Sequence, residues 1–299
     1  MATTRNRPQP TTPPSAEPTM TSPEDMPPTG LTLADHGGVL VVTLNRPPAN
    51  ALNRSVIGEL THLFAERTAS ADAPAVVLTG HGDRFFSAGG DIKELDGVAA
   101  DQIDGRMRDF HALLVVLDRY PRPVIGAING YCVGGGMEIA LFSDTVLAVE
   151  HAQFGFPEIK HGLLPADKGI QRAIRILGAR AARTMLLSGE LFGVQRAAAL
   201  GLVDRIVEPA QLLPSAIAVA EQASAEARVL YRALKRSVNG PDDAADERSL
   251  RSTLADAAAY FDDPVARALR GGWSVQRNRA RTHAATPPPH DERPAEESH

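Results

Sequence analysis

An α/β core followed by a helical C-terminal part is the fold class predicted by this sequence of 299 residues. Two observations lead there. Apolar, β-branched runs of strand length alternate with segments of helical spacing as far as Val149. From about Asp167 onward the pattern becomes mostly helical, and no internal repeat of solenoid period interrupts it.

The elements follow in order. Gly38-Val39-Leu40-Val41-Val42-Thr43-Leu44-Asn45 reads as a strand, stopped by Arg46-Pro47-Pro48 because proline cannot continue the ladder. Val56, Leu60, Leu63 and Phe64 are spaced for one face of a helix. Ala75-Val76-Val77-Leu78-Thr79-Gly80 is apolar enough for a fully buried strand, and Ile103, Met107, Phe110, Leu114 and Leu117 then mark a longer amphipathic helix. Pro123–Asn129 is a third strand leading through a glycine triplet into a helix from Met137, and Thr145–Val149 is a fourth. Leu202–Val207 is a short apolar run within the helical part, whose last helices are expected over Pro209–Ser237 and Glu247–Tyr260.

Composition narrows the class of protein. Hydrophobic residues make up 43% and charged residues 22%, as in a globular chain with a sizeable core. The formal net charge of −5 gives no reason to expect a nucleic-acid partner. No apolar run reaches the roughly 18 residues of a membrane helix. A single cysteine, Cys132, precludes an internal disulfide and fits a reducing, cytoplasmic compartment. The Pro-, Thr- and Ser-rich stretch from Met1 to about Gly30 lacks the apolar segment of a secretory signal, and it reads as a disordered extension. The last residues, about 281–299, read the same way. The α/β core is therefore expected over 31–208 and the helical region over 209–280. The nine histidines show no metal-like spacing with a carboxylate, so no metal is expected.

Three segments carry chemistry. Gly134-Gly135-Gly136 lies shortly after a strand and directly before a helix, where free backbone N–H groups and the helix dipole favour a developing negative charge. Taken alone, such a triplet is equally a tight turn. Ala88-Gly89-Gly90-Asp91 also follows a strand and opens a short helical run to Leu95, with Asp91 a good N-cap. Two N–H donors converging on one oxygen would form an oxyanion hole, each worth ~3–4 kcal/mol in the transition state. Glu138 stands in the first turn of its helix and Glu158 follows Pro157; each alone is an ordinary helix-start or loop charge. Asp167-Lys168 reads first as a helix start or a surface ion pair. Cys132 reads as a small buried residue, since no histidine lies near it in sequence.

Taken together, these segments resemble the enoyl-CoA hydratase/isomerase, or crotonase, superfamily. The resemblance runs from about Val39 to Val207, and more loosely to about Arg279. It rests on Leu44-Asn45-Arg46-Pro47 with Ala49-Asn50-Ala51-Leu52, on Ser87–Leu95, on Asn129-Gly130-Tyr131 with Gly134–Glu138, and on Gln153-Phe154-Gly155 with Pro157-Glu158. Gln171-Arg172 and Ala199-Leu200-Gly201-Leu202-Val203 complete it. It implies a spiral of ββα repeats with C-terminal helices that build a homotrimer, often paired into a hexamer. It implies an acyl-CoA thioester as substrate, with coenzyme A entering as part of that substrate and no separate cofactor. Gly90 and Gly135 would supply the oxyanion donors, and Glu138 and Glu158 the acid and base of hydration. Ala88, Gly90, Asp91, Ile92, Lys93 and Gly134 would line the CoA-binding loops, and Ala49, Ala51 and Leu52 would lie near the adenine.

One segment departs from the family pattern. Hydratases usually read Pro-Gly-Ala-Gly-Gly-Thr-Gln where this chain reads Pro165-Ala166-Asp167-Lys168-Gly169-Ile170-Gln171. That loop lies beside the catalytic water in hydratases, so Pro165, Ala166 and Lys168 are expected to line the acyl pocket and to suit a polar acyl group. Hydration leads because both glutamates are present. Isomerisation, dehydration or hydrolytic ring opening could use the same enolate site, and a scaffold or RNA-binding role is the remote alternative.

Overall fold

Gly37 and Gly38, at φ +62° and +91°, form the two-residue turn between β1 (Leu31–His36) and β2 (Val39–Leu44). Both φ values lie in the left-handed region that a tight hairpin requires. The pair is antiparallel from Leu31↔Leu44 to His36↔Val39. Strand β1 was not expected, because five of its six residues are exposed and it therefore carries no apolar run. In this computed structural model residues 30–70, 72–95 and 100–272 are described. Apart from Gly30, the extension expected over 1–30 lies outside them, as does the tail over 281–299.

Helix α1 (Arg54–Ala69) starts at Asn53, whose side chain accepts the Val56 N–H, and buries Val56, Ile57, Leu60 and Phe64. Three strand–strand–helix turns follow. The first comprises β3 (Ala75–Gly80), β4 (Phe85–Ser87) and α2 (Ala100–Arg119). The second comprises β5 (Val124–Ile128), β6 (Tyr131–Val133) and α3 (Gly135–Leu141). The third comprises β7 (Thr145–Val149), β8 (Gln153–Gly155), a 3₁₀ turn over Glu158–His161, and α4 (Asp167–Leu177). Then come α5 (Ala179–Ser188), β9 (Phe192–Gly193), α6 (Val194–Ala199) and β10 (Arg205–Val207). Helices α7 (Leu212–Ser224), α8 (Arg228–Asn239) and α9 (Asp243–Phe261) follow, and residues 264–272 are also helical.

Each turn of the spiral places one strand in each of two sheets. The larger runs β1-β2-β3-β5-β7-β10 and the smaller β4-β6-β8-β9. Strands β3, β5 and β7 are parallel neighbours, as are β4, β6 and β8. Parallel strands need both faces covered, which is why β3 and β5 are buried along their whole length. Two buried asparagines brace the turns. Asn50 Nδ2 donates to the carbonyls of His81 and Phe85, and Asn129 Nδ2 to those of Gly80 and Gly82, satisfying backbone groups that the strands leave open.

One helix expected over Pro209–Ser237 is two. The break at 225–227 contains neither glycine nor proline, so local propensity does not announce it. Tertiary contacts make it: α7 packs Leu212, Ala216 and Ala220 inward, and Arg122 Nη2 takes the Ser224 carbonyl at its C-terminal end. Helix α8 then leads Lys235 to Asp144 at 2.6 Å and Asn239 to the Asp118 carbonyl at 2.9 Å. Among the described residues no helix is long and apolar enough to cross a membrane, and no His/Cys/Asp/Glu group could hold a metal ion.

Candidate active site

Because β4, β6 and β8 run parallel, the loops after them leave the same edge of the small sheet. Those loops are Ala88–Asp91, Gly134–Gly136 and Phe156–Glu158, so topology gathers three segments that lie far apart in sequence. Gly134 N–H bonds to Gly155 O at 3.0 Å and extends the pairing beyond the strands.

The two glycine loops meet backbone to backbone. Gly89 sits at φ +79°, and a Cβ there would stand 2.9 Å from Val133 O and 3.0 Å from Gly135 N. Only glycine allows that approach. Leu52 bridges Gly90 in parallel: its N–H bonds to Gly89 O at 2.8 Å, and its carbonyl accepts Asp91 N–H at 3.0 Å. That pattern skips the Gly90 N–H, which therefore faces the other way. The Gly135 N–H opens α3, where no intrahelical acceptor exists. Two backbone donors thus lie on the wall of one cavity.

That cavity is lined by Leu52, Gly90, Gly135, Glu138, Glu158 and Ala166. Ile103, Arg106, Met107 and Phe110 of α2 complete it, with Leu163, Leu164 and Tyr260. Glu138 is 2% exposed, and its Oε1 accepts the Ala166 N–H at 3.0 Å. Gly169 crosses so close that a Cβ on it would stand 2.1 Å from that oxygen. Glu158 is half-buried as a residue, yet its Oε2 is sealed from solvent and has no hydrogen-bond partner. A Cβ on Gly134 would meet Glu158 Oε1 at 2.8 Å.

Burial sets the electrostatics. It pushes the Glu138 carboxyl well above the ordinary range, the neighbouring Glu158 pushes it further, and the Ala166 N–H draws it partly back. Burial also raises Glu158, to about 7. The pair therefore carries one proton near neutrality, so a carboxylic acid and a carboxylate face the same space.

The other residues singled out in the sequence divide into two groups. Ala49, Ala51, Ala88, Asp91, Ile92 and Lys93 build the loops beside the cavity rather than its wall. Ala49 O accepts the Ala88 N–H at 3.0 Å, and Ala51 O accepts Arg46 Nη1 at 3.3 Å. Asp91 is buried, pairs with Arg46 Nη2 at 2.6 Å, and accepts the Lys93 N–H at 3.0 Å as the cap of the 3₁₀ turn. Ile92 is half-buried and Lys93 exposed. Pro165 is buried outside the lining set, although Ala166 belongs to it.

The expectation of Lys168 in the acyl pocket is corrected. Its ammonium lies 3.0 Å from Asp118 and 2.6 Å from Asp246, on the side of α4 away from the glutamates. A buried ammonium needs carboxylate partners, and α2 and α9 supply them there. Asp167 does start a helix, as its position suggested.

Sequence reasoning missed Arg106 and Tyr260. Arg106 is buried, bonding Glu94 Oε2 at 2.8 Å and Leu52 O at 3.0 Å, and thereby braces the strand segment beside Gly90. Its signal was an arginine among Ile103, Met107 and Phe110, whose spacing reads as a packing face. Tyr260 arrives from α9, more than a hundred residues after the nearest glycine loop, and no local signal marks it.

The enoyl-CoA hydratase/isomerase family model matches residues 34–267. The chain belongs to this family. A probable enoyl-CoA hydratase of Mycobacterium leprae is 38% identical over 222 residues, which is 74% of this chain and 82% of the relative. A short-chain-enoyl-CoA hydratase of Clostridium acetobutylicum is 35% identical, with 69% of this chain and 80% of the relative aligned. Among solved structures, an enoyl-CoA hydratase/isomerase from Mycobacterium paratuberculosis superposes with a TM-score of 0.75 at 30% identity, covering 83% of this chain and 99% of the other. The two sheets and three strand–strand–helix turns of this chain are accordingly those of the crotonase fold. Within that fold the glycine loops and both glutamates of this enoyl-CoA hydratase/isomerase family member meet at one cavity.

Proposed function

We propose that this chain is an enoyl-CoA hydratase, a lyase that adds water across the double bond of a 2-enoyl-CoA. The observation that carries the reading is the buried glutamate pair facing a cavity whose wall bears the Gly90 and Gly135 N–H groups. The thioester oxygen accepts those two donors. As the water oxygen bonds to Cβ, the π electrons move toward Cα and the thioester, and the oxyanion formed is held by both N–H groups. The carboxylate takes the proton that water loses, and the carboxylic acid delivers one to Cα. The proton count of the pair is unchanged over the cycle. Activation comes from the thioester itself, so the reaction needs no cofactor beyond the coenzyme A of the substrate.

The same reading takes the chain to be a cytoplasmic homotrimer or dimer of trimers. Self-association is supported by α8, which leaves Leu230, Leu234 and Val238 exposed at one-turn spacing.

Crotonyl-CoA in heavy-oxygen water tests the chemistry. Label entering a 3-hydroxyacyl-CoA, seen by mass spectrometry, is the expected result. Failure to label any of a panel of short-, medium- and carboxyl-substituted 2-enoyl-CoA esters would exclude hydration.

A further inference from the structure

The first turn of α4 touches two different neighbours. On one side Ala166 N–H holds Glu138 Oε1 and Gly169 presses against the same carboxyl. On the other side α9 grips the turn at three points. Thr253 Oγ1 accepts the Asp167 N–H at 3.0 Å, Ser249 Oγ donates to Asp167 Oδ2 at 2.6 Å, and Asp246 Oδ1 pairs with Lys168 at 2.6 Å. Asp118 of α2 pairs with the same ammonium at 3.0 Å, and Arg119 holds the second oxygen of Asp246 at 2.6 Å.

The turn needs this help. Ala166 occupies the N-cap position and has no side chain able to cap. The open N–H groups are instead taken by Glu138 from one side and Thr253 from the other. Where the family loop carries glycine, this chain has Lys168, and its charge is used to bolt the turn to α2 and α9.

We propose that Lys168, Asp167 and Thr253 are positioning residues for Glu138, with α9 holding the start of α4 so that the Ala166 N–H stays on the Glu138 carboxyl. This rests on the hydratase reading insofar as Glu138 is one of the two proton-transfer groups. Its consequence is that the C-terminal region, remote in sequence, sets the geometry of the acid/base pair. Contacts made by Lys168 and Thr253 lie outside the cavity, so they act through the backbone of α4 and touch no substrate.

Thr253→Val and Lys168→Met test it, with Thr253→Ser keeping the hydroxyl. Loss of the clamp lowers kcat by about tenfold or more while KM stays within about twofold of wild type, and Thr253→Ser restores the rate. A second readout does not depend on turnover: the infrared band of the protonated Glu138 carboxyl, identified by its loss in Glu138→Gln. Its titration midpoint moves upward in Thr253→Val, because the Ala166 N–H no longer favours the charged form. Glu158, Arg106 and Tyr260 also line the cavity, and none of them bonds to Thr253 or Lys168. His111 of α2 feels the Lys168 charge, so the titration is read in Thr253→Val, which leaves that charge in place. A drop in unfolding midpoint with kcat and the infrared titration both at wild-type values would overturn the proposal and leave the clamp a purely structural bolt. If wild type turns over none of the acyl-CoA panel, the hydratase reading fails, and the infrared shift alone still decides the clamp.

Discussion

Two sets of buried carboxyl groups flank the start of α4, and they are treated in opposite ways. Asp118 and Asp246 on one side meet Lys168, with Arg172 3.6 Å from Asp118 and Arg119 2.6 Å from Asp246. Glu138 and Glu158 on the other side form no ion pair among the described residues; Asp118 Oδ1 and Glu158 Oε2 both lack a hydrogen-bond partner, but only Asp118 has cations beside it. Taking a charge out of water is costly unless a counter-charge replaces the solvent, so only the first set is held as a fixed network of charges. The second set answers by binding a proton more tightly. The difference separates architecture from chemistry: paired carboxyls hold helices together, and unpaired ones remain able to exchange protons at neutral pH.

The comparison breaks most visibly if a member of the unpaired set is neutralised. Glu138→Gln and Glu158→Gln should each lower kcat by ~10²- to 10⁴-fold with binding of the CoA ester largely retained, as steady-state kinetics and calorimetry with a product analogue would show. Near-wild-type rates in both variants would remove the glutamates from the mechanism. In the paired set the fold is affected as well, and the rate only indirectly, through the clamp on α4. Lys168→Met leaves Asp118 and Asp246 with only Arg172 and Arg119 as counter-charges, and urea unfolding should show a loss of about 1–3 kcal/mol.

The sign reverses for Glu158 and stability. Its folded value of about 7 lies above that of the unfolded chain, so between about pH 4.5 and 7 the folded state keeps a proton that the unfolded state has released. Stability therefore falls as pH rises through that window and levels off above it, with Glu138 acting in the same direction. Glu158→Gln removes this contribution. Relative to wild type it should be more stable at pH 8 than at pH 4.5 by roughly 2–3 kcal/mol in paired denaturation curves. A pH-independent difference would contradict the burial argument.

Activity offers a finer probe of the same titration. The rate should rise with pH through an apparent value near 7, as the pair loses its first proton and gains the carboxylate that takes a proton from water. A rate that is flat from pH 6 to 8 in kcat would separate the pair from the rate-limiting step. The subtlest change is Gly169→Ala, whose methyl group would need the space of Glu138 Oε1. A fall of about tenfold in kcat with an unfolding midpoint lowered by an overpacking cost of about 1–3 kcal/mol is the expected outcome.

Much of this was legible in the sequence, for reasons that can be stated residue by residue. The runs at Val39–Leu44, Ala75–Gly80, Val124–Ile128 and Thr145–Val149 are apolar because both faces are covered, and each is a strand of the large sheet. The glycines at 89–90 and 134–136 and the two glutamates sit in local patterns dense enough to be recognised, and the structure brings them together. Strand β1 stayed hidden because it is a mostly exposed edge, and the α7–α8 break because alanine permits a helix to continue where Arg122 ends it.

The sequence by itself determined the elements with strong periodicity, the glycine positions and the identity of the two carboxyls, because each depends on short-range spacing and on which side chains can occupy a turn. Only the tertiary structure decided where Lys168 points, that Arg106 and Tyr260 line the cavity, and that burial raises both the Glu138 and the Glu158 carboxyl. Those outcomes depend on burial and on which charge lies across a helix contact. Asp246 is 78 residues from Lys168 along the chain and 2.6 Å from it in space, a pairing that no local pattern of residues encodes.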